Sequence, residues 1–420
     1  MAPKKIIIDT DPGVDDILAL LLALSASAEE VEVLLISLCF GNIDVECCLR
    51  NTVSLFHVLE LERTWRIEND LPLGFEALRN FKPVVSVGAD LPIEGASMQY
   101  DYFHGKDGLQ GVHENAPHFT PTEMWKHLFG PGDETDVSKV ARLPPNFKPS
   151  TNLSHLEILR TLESHPPDTI TIIAVGPLSN LALAANTDPE TFLRAKEIVV
   201  MGGAINVPGN ITPVAEFNQY ACSYSAARIY ALTSPSPKST MPSCRDLKAY
   251  PENLSKQLKL TAFPLDVTTV HSLSLDTFNT VTKSLSERGS PLAQWMHHFL
   301  RPTFDHLKTL YTEKDVGLSL HDPLCVWYLL TNGEGWVIDE SVDVRVETEG
   351  KWTRGMSVVD RRKKVIEANL LSPIKIHDRG VWLHRGHGNR VRLALDSEYK
   401  TSFGETMLRR IFAFEGKLDL

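Results

Sequence analysis

The chain has 420 residues, 43% of them hydrophobic, which is enough to bury a sizeable core in one large α/β domain or two smaller ones. Its formal net charge of −11 argues against nucleic acid as a partner, because binding a phosphate backbone needs a basic surface, whereas a small neutral substrate or a cationic ligand is compatible. The six cysteines show no metal-type spacing, and we find neither a signal peptide nor an apolar segment that could span a bilayer. We therefore expect a cytoplasmic protein without a membrane partner, with a nuclear location left open.

The first segment with a clear pattern is a β-branched run at residues 6–8, which is typical of a strand buried on both faces of a parallel sheet. A Pro-Gly turn and then an apolar helix follow. Open α/β sheets place ligands at the carboxyl ends of their strands. Four aspartates lie within eight residues at this strand–turn–helix junction: Asp9, Asp11, Asp15 and Asp16.

This acid cluster has two interpretations. Helix capping explains one or two of the aspartates, because acids are favoured at a helix N-terminus. Four acids at one junction, however, repel one another and raise each other's pKa unless a cation is present. A hard divalent cation held by carboxylate oxygens is the better interpretation.

Strand-like and helix-like segments alternate through the rest of the chain. Regions rich in Pro, Gly and charge at about 117–150 and 233–258 indicate inserted surface loops rather than domain boundaries. The segment from about 374 to 420 carries no recognisable chemistry. The predicted strands cover residues 31–40, 84–87, 169–175, 197–200 and 261–267, and the predicted helices cover residues 50–61, 153–164, 225–232, 292–311 and 324–330.

Polar residues follow several of these strands. Asn42, after the second strand, is equally consistent with a turn and with a substrate contact. His104 begins a His-Gly-Lys-Asp-Gly loop with tight backbone turns, although a histidine there can also be an ordinary surface residue. In Gly176-Pro-Leu-Ser-Asn180, Ser179 and Asn180 are predicted to cap the next helix.

Two later segments have similar alternatives. The segment from Asn210 to Asn218, which includes Glu216, is either an ordinary polar loop or a sugar-binding loop, since amides and a carboxylate can together satisfy the hydroxyls of a ribose. His321-Asp322 precedes an apolar helix and can serve as a helix cap, with Pro323 in the first turn.

The motif Asp9-Thr-Asp-Pro-Gly-Val-Asp-Asp16 resembles the N-terminal motif of the inosine–uridine-preferring nucleoside hydrolases. The loops beginning at His104, Gly176, Asn210 and His321 resemble further motifs of that family. The resemblance covers roughly residues 4–361 plus a helix near the end, broken by the two insertions.

The resemblance implies a single domain over residues 1–420 with the nucleoside hydrolase fold, an open, mostly parallel, Rossmann-like sheet flanked by helices. The inserted loops and a C-terminal extension from about 374 to 420 suggest a longer, eukaryotic member. A homodimer or homotetramer and a role in nucleoside salvage are also expected from the resemblance.

The resemblance further implies a calcium-dependent hydrolysis of the N-glycosidic bond of a ribonucleoside, giving ribose and free base. Asp11 takes a proton from the attacking water, and His321 is the first candidate for the acid that protonates the leaving base, with His104 second. The expected Ca²⁺ ligands are Asp11, Asp16, the backbone carbonyl of Val175, and Asp322. The expected substrate-binding residues are Asp15, Asn42, His104, Met201, Asn210, Glu216, Phe217 and Asn218.

Two other functions are consistent with parts of the sequence. Asp9-Thr-Asp11 after a buried strand also resembles haloacid-dehalogenase-type phosphatases, but the lysine and later acidic pair they need are not found in order. A homologue that binds calcium and a riboside without turnover has the same residues. The base preference among uridine, cytidine, inosine, adenosine and nicotinamide riboside stays open.

Overall fold

The computed structural model describes residues 2–93, 102–129, 144–311, 316–362, 378–384 and 386–413. Parts of the predicted insertion at 117–150 and of the predicted C-terminal extension lie outside these ranges. Within the described residues, none of the helices combines the length and the hydropathy that crossing a bilayer requires.

A nine-stranded sheet forms the centre of the described structure, in the order β10-β13-β7-β6-β5-β1-β2-β3-β4 once the strands are numbered along the chain. All of its pairings are parallel except that of β10 with β13, which is antiparallel. Two further sheets have two strands each, β8 with β9 and β11 with β12. The strands of all three sheets are β1 (Lys4–Thr10), β2 (Val31–Leu38), β3 (Val84–Val87), β4 (Lys148–Pro149), β5 (Ile170–Ala174), β6 (Glu197–Met201), β7 (Leu260–Phe263), β8 (Ser272–Leu273), β9 (Leu318–Ser319), β10 (Trp336–Val342), β11 (Arg345–Val346), β12 (Ser357–Val358) and β13 (Val391–Ser397).

Helices cover both faces of this sheet. The α-helices are α1 (Val14–Leu24), α2 (Val45–Glu68), α3 (Glu76–Asn80), α4 (Val112–Asn115), α5 (Ser154–Glu163), α6 (Ser179–Thr187), α7 (Pro189–Phe192), α8 (Phe217–Ala221), α9 (Ser223–Ala231), α10 (Leu265–Thr268), α11 (Leu275–Glu287), α12 (Pro291–Leu310), α13 (His321–Leu330) and α14 (Phe403–Ile411).

The β-branched run in β1 explains the layered arrangement. Successive side chains of a strand point to opposite faces. Ile6 and Ile8 therefore pack into the core that contains α1, α2 and α11–α14, while Ile7 packs into the core that contains α5, α6 and α9. All three isoleucines are fully buried, as expected for a central parallel strand.

Several predicted boundaries differ from the observed ones. The strand predicted over 261–267 ends at Phe263, and α10 begins after Pro264. The capping prediction for Ser179 and Asn180 is wrong: α6 begins at Ser179, and its N-terminus has no side-chain cap. The segment predicted as a C-terminal extension supplies β13, which lies inside the sheet between β7 and β10, and α14.

The parallel arrangement places the carboxyl ends of several strands, and the loops that follow them, side by side. The carboxyl ends of β1, β2, β5 and β6 lie at the same edge, because these strands are mutually parallel neighbours. The residues after those strand ends are the ones that the sequence marks as candidates for binding and catalysis. This edge is where open α/β sheets hold ligands.

Candidate active site

The turn between β1 and α1 is closed by the carboxylate of Asp16. Its Oδ1 accepts hydrogen bonds from Thr10 Oγ1 at 2.6 Å and from the Asp11 amide at 3.2 Å. Its Oδ2 accepts from the Gly13 amide at 3.0 Å and from Asn42 Nδ2 at 2.9 Å. Asp16 therefore holds the turn in shape and also ties it to the end of β2.

Asp11 is buried on this turn, and only one of its two carboxylate oxygens is hydrogen-bonded within the described structure. The amide of Asn42 donates to Asp11 Oδ2 at 2.6 Å, and Asn42 Nδ2 also donates to the Asp11 carbonyl at 3.3 Å. Asp11 Oδ1 is buried and has no hydrogen-bond partner within the described structure. A buried carboxylate oxygen without a partner is costly, so this atom is suited to bind a cation or an ordered water.

Three carboxylates converge beside Asp11. One oxygen each of Asp15, Asp16 and Asp322 lies within 4.8 Å of the other two, and all three residues are buried. Burial and the charge of Asp16 raise the pKa of Asp15 to about 8. Burial and the charges of Asp15, Asp16 and Asp11 raise the pKa of Asp322 well above its ordinary value. Converging oxygens with this mutual repulsion fit a hard divalent cation, which would favour their ionised forms.

The resemblance assigned Asp15 to the ribose and Asp11 to the cation. Asp15 lies in the closely spaced trio, whereas Asp11 is adjacent to it, close enough that burial and then the charges of Asp16 and Asp15 raise its pKa. Both are buried carboxylates close to the β1–α1 turn, so either is chemically suited to contact a cation or a sugar hydroxyl.

Val175 and Asn218 form the next side of the site. The Val175 amide donates to the Asp9 carbonyl at 2.8 Å, which fixes Val175 directly after β5. The Val175 carbonyl accepts from Asn218 Nδ2 at 2.7 Å, and the same nitrogen lies 3.4 Å from the Met201 carbonyl. A carbonyl oxygen has two lone pairs, so the Val175 oxygen keeps one for a further ligand.

Glu216 organises the start of α8. Its side chain accepts hydrogen bonds from the amides of Asn218 at 2.8 Å, Gln219 at 3.0 Å and Gly203 at 2.9 Å. Burial raises the pKa of Glu216, and these amide bonds oppose the rise. Much of its acceptor capacity is thus used in holding the loop that carries Asn218.

The two remaining residues of this loop are more accessible. Asn210 is exposed, and its Oδ1 accepts from the amide of the half-buried Phe217 at 2.9 Å. Asn210, Glu216, Phe217 and Asn218 therefore form one hydrogen-bonded unit at the start of α8. These four are the members of this loop that the resemblance assigned to the substrate.

Two histidines adjoin the segments that carry the acids: His104 bonds to the first residue of α1, and His321 precedes Asp322 in α13. Nδ1 of His104 accepts from the Val14 amide at 3.0 Å, so a neutral His104 carries its proton on Nε2. Nδ1 of His321 lies 2.7 Å from Thr268 Oγ1. Burial and then the charge of His104 lower the pKa of His321 to about 4.

Asp9, Ser37 and Asn180 form a buried hydrogen-bonded group next to the site, and the sequence did not predict it. Asp9 Oδ1 accepts from the Ser37 hydroxyl and from Asn180 Nδ2, the latter at 2.9 Å. Asn180 also donates to the Leu38 carbonyl at 3.0 Å and accepts from the Ala89 amide at 2.9 Å. Asn180 therefore ties together the ends of β1, β2 and β3. An asparagine soon after a strand was its only signal.

Comparison with known proteins agrees with this geometry. The sequence profile described as inosine-uridine preferring nucleoside hydrolase matches residues 6–398. The chain is 30% identical over 372 residues to the probable uridine nucleosidase 2 of Arabidopsis thaliana, covering 87% of this chain and 89% of that protein. It is 30% identical over 366 residues to the pyrimidine-specific ribonucleoside hydrolase RihA of Salmonella paratyphi C, covering 84% of this chain and 88% of that protein.

The fold is also shared with solved structures. A plant nucleoside hydrolase, PpNRh1, superposes with a TM-score of 0.64 at 21% identity, covering 98% of this chain and 100% of the other. Together with the acidic site at the strand ends, these similarities define the class of protein as an enzyme with the nucleoside hydrolase fold that cleaves N-glycosidic bonds. The chain belongs to the inosine-uridine preferring nucleoside hydrolase family. This assignment replaces the phosphatase alternative.

Proposed function

We propose that this enzyme uses Ca²⁺ and that its preferred substrates are pyrimidine ribonucleosides, uridine first. The observation that carries the cation proposal is the convergence of Asp15, Asp16 and Asp322 within 4.8 Å beside the unpartnered Oδ1 of Asp11. The base preference is supported by the relatives named uridine nucleosidase and pyrimidine-specific ribonucleoside hydrolase.

The residues present fit a calcium ion. Carboxylates of Asp11, Asp16 and Asp322, with Asp15 alongside, and the Val175 carbonyl offer hard oxygen ligands in an irregular arrangement, which Ca²⁺ tolerates better than Mg²⁺. When bound, the cation would supply positive charge that favours the ionised carboxylates and makes a nearby water more acidic.

Asp11 is the proposed general base. Its Oδ1 is buried and has no hydrogen-bond partner in the described structure, while its Oδ2 is fixed by the Asn42 amide. A water held against Oδ1 would give up a proton to it while its oxygen forms a bond to the anomeric carbon of the ribose. The bond from that carbon to the base nitrogen breaks, and its electron pair leaves with the base.

The ribose is proposed to lie between the acid cluster and the start of α8. Asp15, Asn42 and Asn218 approach it from the buried side, and Asn210 and Glu216 from the loop. Met201 and Phe217 provide apolar contact. Hydrogen bonds that strengthen as the sugar flattens towards the transition state raise the rate rather than the substrate affinity.

The leaving base is proposed to be assisted by His321 and His104. A neutral His104 with its proton on Nε2 can donate a hydrogen bond to the base without first taking up a proton. A pKa of about 4 keeps His321 neutral near neutral pH, so His321 also assists the leaving base as a hydrogen-bond partner. Nucleoside salvage in the cytoplasm, by a homo-oligomer, completes the proposal.

The first experiment measures free ribose released from uridine, cytidine, inosine, adenosine and nicotinamide riboside by the wild type and by Asp11→Asn, with and without a calcium chelator. We expect release by the wild type to be highest with uridine, and to fall about 10²-fold or more in Asp11→Asn. Chelation should abolish release and added Ca²⁺ should restore it. Asp305→Asn is the matched control, since Asp305 is exposed on α12 and pairs with Lys308.

Each outcome has a distinct meaning. Unchanged release after chelation would overturn the calcium proposal, and release from inosine alone would overturn the pyrimidine preference. Calcium binding without release of ribose from any nucleoside would indicate a homologue that binds a riboside without turnover.

A further inference from the structure

A buried asparagine outside the acid cluster connects two loops of the site. Asn51 lies in the first half of α2 and is fully buried. Its Nδ2 donates to the Pro12 carbonyl at 2.8 Å and to the Asp107 carbonyl at 2.9 Å. These partners lie 39 and 56 residues away, one on the turn that carries Asp11 and the other on the loop that begins at His104.

His113 is the hydrogen-bond partner of the oxygen of this amide. Nε2 of His113 lies 2.6 Å from Asn51 Oδ1, and its Nδ1 lies 2.6 Å from Thr120 Oγ1. Because an amide oxygen only accepts, His113 must carry a proton on Nε2. The reverse orientation of Asn51 would place its oxygen against two carbonyl oxygens, so those carbonyls determine the orientation of the amide and the Nε2–H of His113 supports it.

Internal hydrogen bonds make the loop from His104 to Gly111 rigid, so holding one of its residues restrains the others. Asp107 Oδ1 accepts from the Leu109 amide at 3.0 Å and from the Gly111 amide at 2.8 Å. The Gln110 amide donates to the His104 carbonyl at 3.0 Å. Holding the Asp107 carbonyl therefore holds the backbone of His104.

The turn that carries Asp11 and Gly13 is in direct contact with the ring of His104. The Val14 amide donates to His104 Nδ1, and a Cβ on Gly13 would lie 2.7 Å from the same nitrogen. The imidazole thus fits against the turn only while the loop and the turn keep their relative position. Asn51 makes a direct connection between their backbones.

We propose that Asn51 and His113 are positioning residues for His104, whose imidazole they hold against the Asp11 turn. Neither side chain acts on substrate itself. The proposal rests on the proposed function of His104, but the geometry it requires exists with or without substrate.

The central test is a double-mutant cycle between Asn51→Asp and His104→Ala. Asn51→Asp keeps the size of the side chain but removes the two donated protons and places a carboxylate against two carbonyl oxygens. We expect kcat for uridine to fall about 10-fold or more, since small displacements of a catalytic group are costly, with a smaller change in KM. In the His104→Ala background the same change should cost less than about 3-fold.

A second pair of variants tests the donor on His113. His113→Gln can still donate to Asn51 Oδ1 and should keep kcat within about 3-fold of the wild type, whereas His113→Phe keeps the bulk but cannot donate and should lose about 10-fold. Matched controls are Asn80→Asp, whose amide bonds only within α3, and His57→Gln on α2. Both controls should behave like the wild type.

A measurement that is independent of activity separates this proposal from the proposed function. Nitrogen-15 chemical shifts of the histidine rings report which nitrogen carries the proton. We expect Nε2–H forms for both His104 and His113 in the wild type, and loss of the single His104 form in Asn51→Asp. If the wild type releases no ribose, the proposed function fails and these shifts still decide the positioning proposal.

Three results would overturn the proposal. Equal losses from Asn51→Asp in both backgrounds would show that Asn51 affects the rate independently of His104. Equal activity of His113→Gln and His113→Phe would show that the donated proton is not used. An unchanged His104 ring signal in Asn51→Asp would show that the amide does not hold the loop.

Discussion

The carboxylate of Asp11 is enclosed by two glycines, which follow β2 and β5, the strands on either side of β1. A Cβ on Gly41 would lie 1.9 Å from Asp11 Oδ2, and a Cβ on Gly176 would lie 2.6 Å from Asp11 Oδ1. Neither glycine has a left-handed φ, so close approach of the backbone and not conformational freedom is the reason for glycine here. The two positions therefore determine where Asp11 can lie.

We predict that Gly176→Ala displaces Asp11 and lowers kcat by about 10-fold or more, because a misplaced catalytic group loses much of its effect. The new methyl group would also lie 3.0 Å from Cys39 Sγ, so the side chains around it cannot all stay in place. Ribose release from uridine at saturating Ca²⁺ checks this.

Gly404→Ala serves as the control for that variant, because it introduces the same methyl group in α14, where its nearest contact is the Ser272 carbonyl at 3.1 Å. Equal kcat values for Gly176→Ala and the wild type would contradict the enclosure of Asp11.

At the residue scale, the sequence predicted those members of the site whose chemistry is unusual for their position. Clustered aspartates such as Asp11 and Asp16 repel one another, and that cost indicates a ligand whatever the fold. Asn51 and Asn180 have no such signal. Each is an ordinary amide in a helix until the fold brings its partners close, and those of Asn180 include Asp9, 171 residues away.

The last helix belongs to the core of the molecule. In α14, Phe403, Met407 and Ile411 are at most 1% exposed, and they pack into the same core as α1. The preceding strand, β13, is hydrogen-bonded to β7 on one side and to β10 on the other. Both elements lie within the segment predicted as a C-terminal extension, in which the resemblance covered only a helix near the end.

We predict that Phe403→Ala lowers the free energy of unfolding by about 3–5 kcal/mol, the usual cost of removing a buried aromatic ring. Its ring packs 5.6 Å from that of Trp327 in α13, the helix that begins with His321 and Asp322. Urea unfolding monitored by tryptophan fluorescence measures the loss of unfolding free energy.

Glu405→Gln on the exposed side of α14 removes only a surface pair with Arg409 and should change stability by less than about 1 kcal/mol. A similarly small loss for Phe403→Ala would mean that α14 is dispensable to the core.

At the element scale, the strength of a pattern decided what could be predicted. The buried apolar strands β1, β5 and β6 and the amphipathic helix α12 agree with their predicted positions to within a few residues. The strands β4, β8 and β9 are two residues long and have no periodicity to detect. The position of β13 in the sheet depends on pairing with β7, which no local pattern records.

For the molecule as a whole, the cluster of buried acids links cation binding to pH. Burial raises the pKa of Asp9 to about 7, and burial with the charge of Asp16 raises that of Asp15 to about 8. Between the unfolded and folded pKa values the native protein binds protons that the unfolded chain releases. The cation-free protein should therefore lose stability as pH rises through this window.

Three half-buried histidines act in the opposite direction at a lower pH. Burial lowers the pKa values of His113, His297 and His321 to about 4. Their effect lies between that value and the ordinary pKa of a histidine, where stability rises with pH. Above about pH 6.5 these histidines are neutral in both states, which leaves the acids as the main source of any trend.

We therefore predict that Ca²⁺ raises the Tm more at about pH 8.5 than at about pH 6.5, and that calcium binding at neutral pH releases about one proton per ion. Ionised carboxylates bind the cation, so protons held by Asp15 and its neighbours must leave. Thermal unfolding with chelator or calcium measures the first effect, and titration calorimetry in buffers of different ionisation enthalpy measures the second.

Asp15→Asn provides the decisive comparison, because it removes one carboxyl group from the trio and should reduce both the proton release and the pH dependence of the calcium effect. Asp305→Asn, on the exposed face of α12, should change neither. A calcium-induced Tm increase of the same size at both pH values, without proton release, would mean that the cation binds away from these acids.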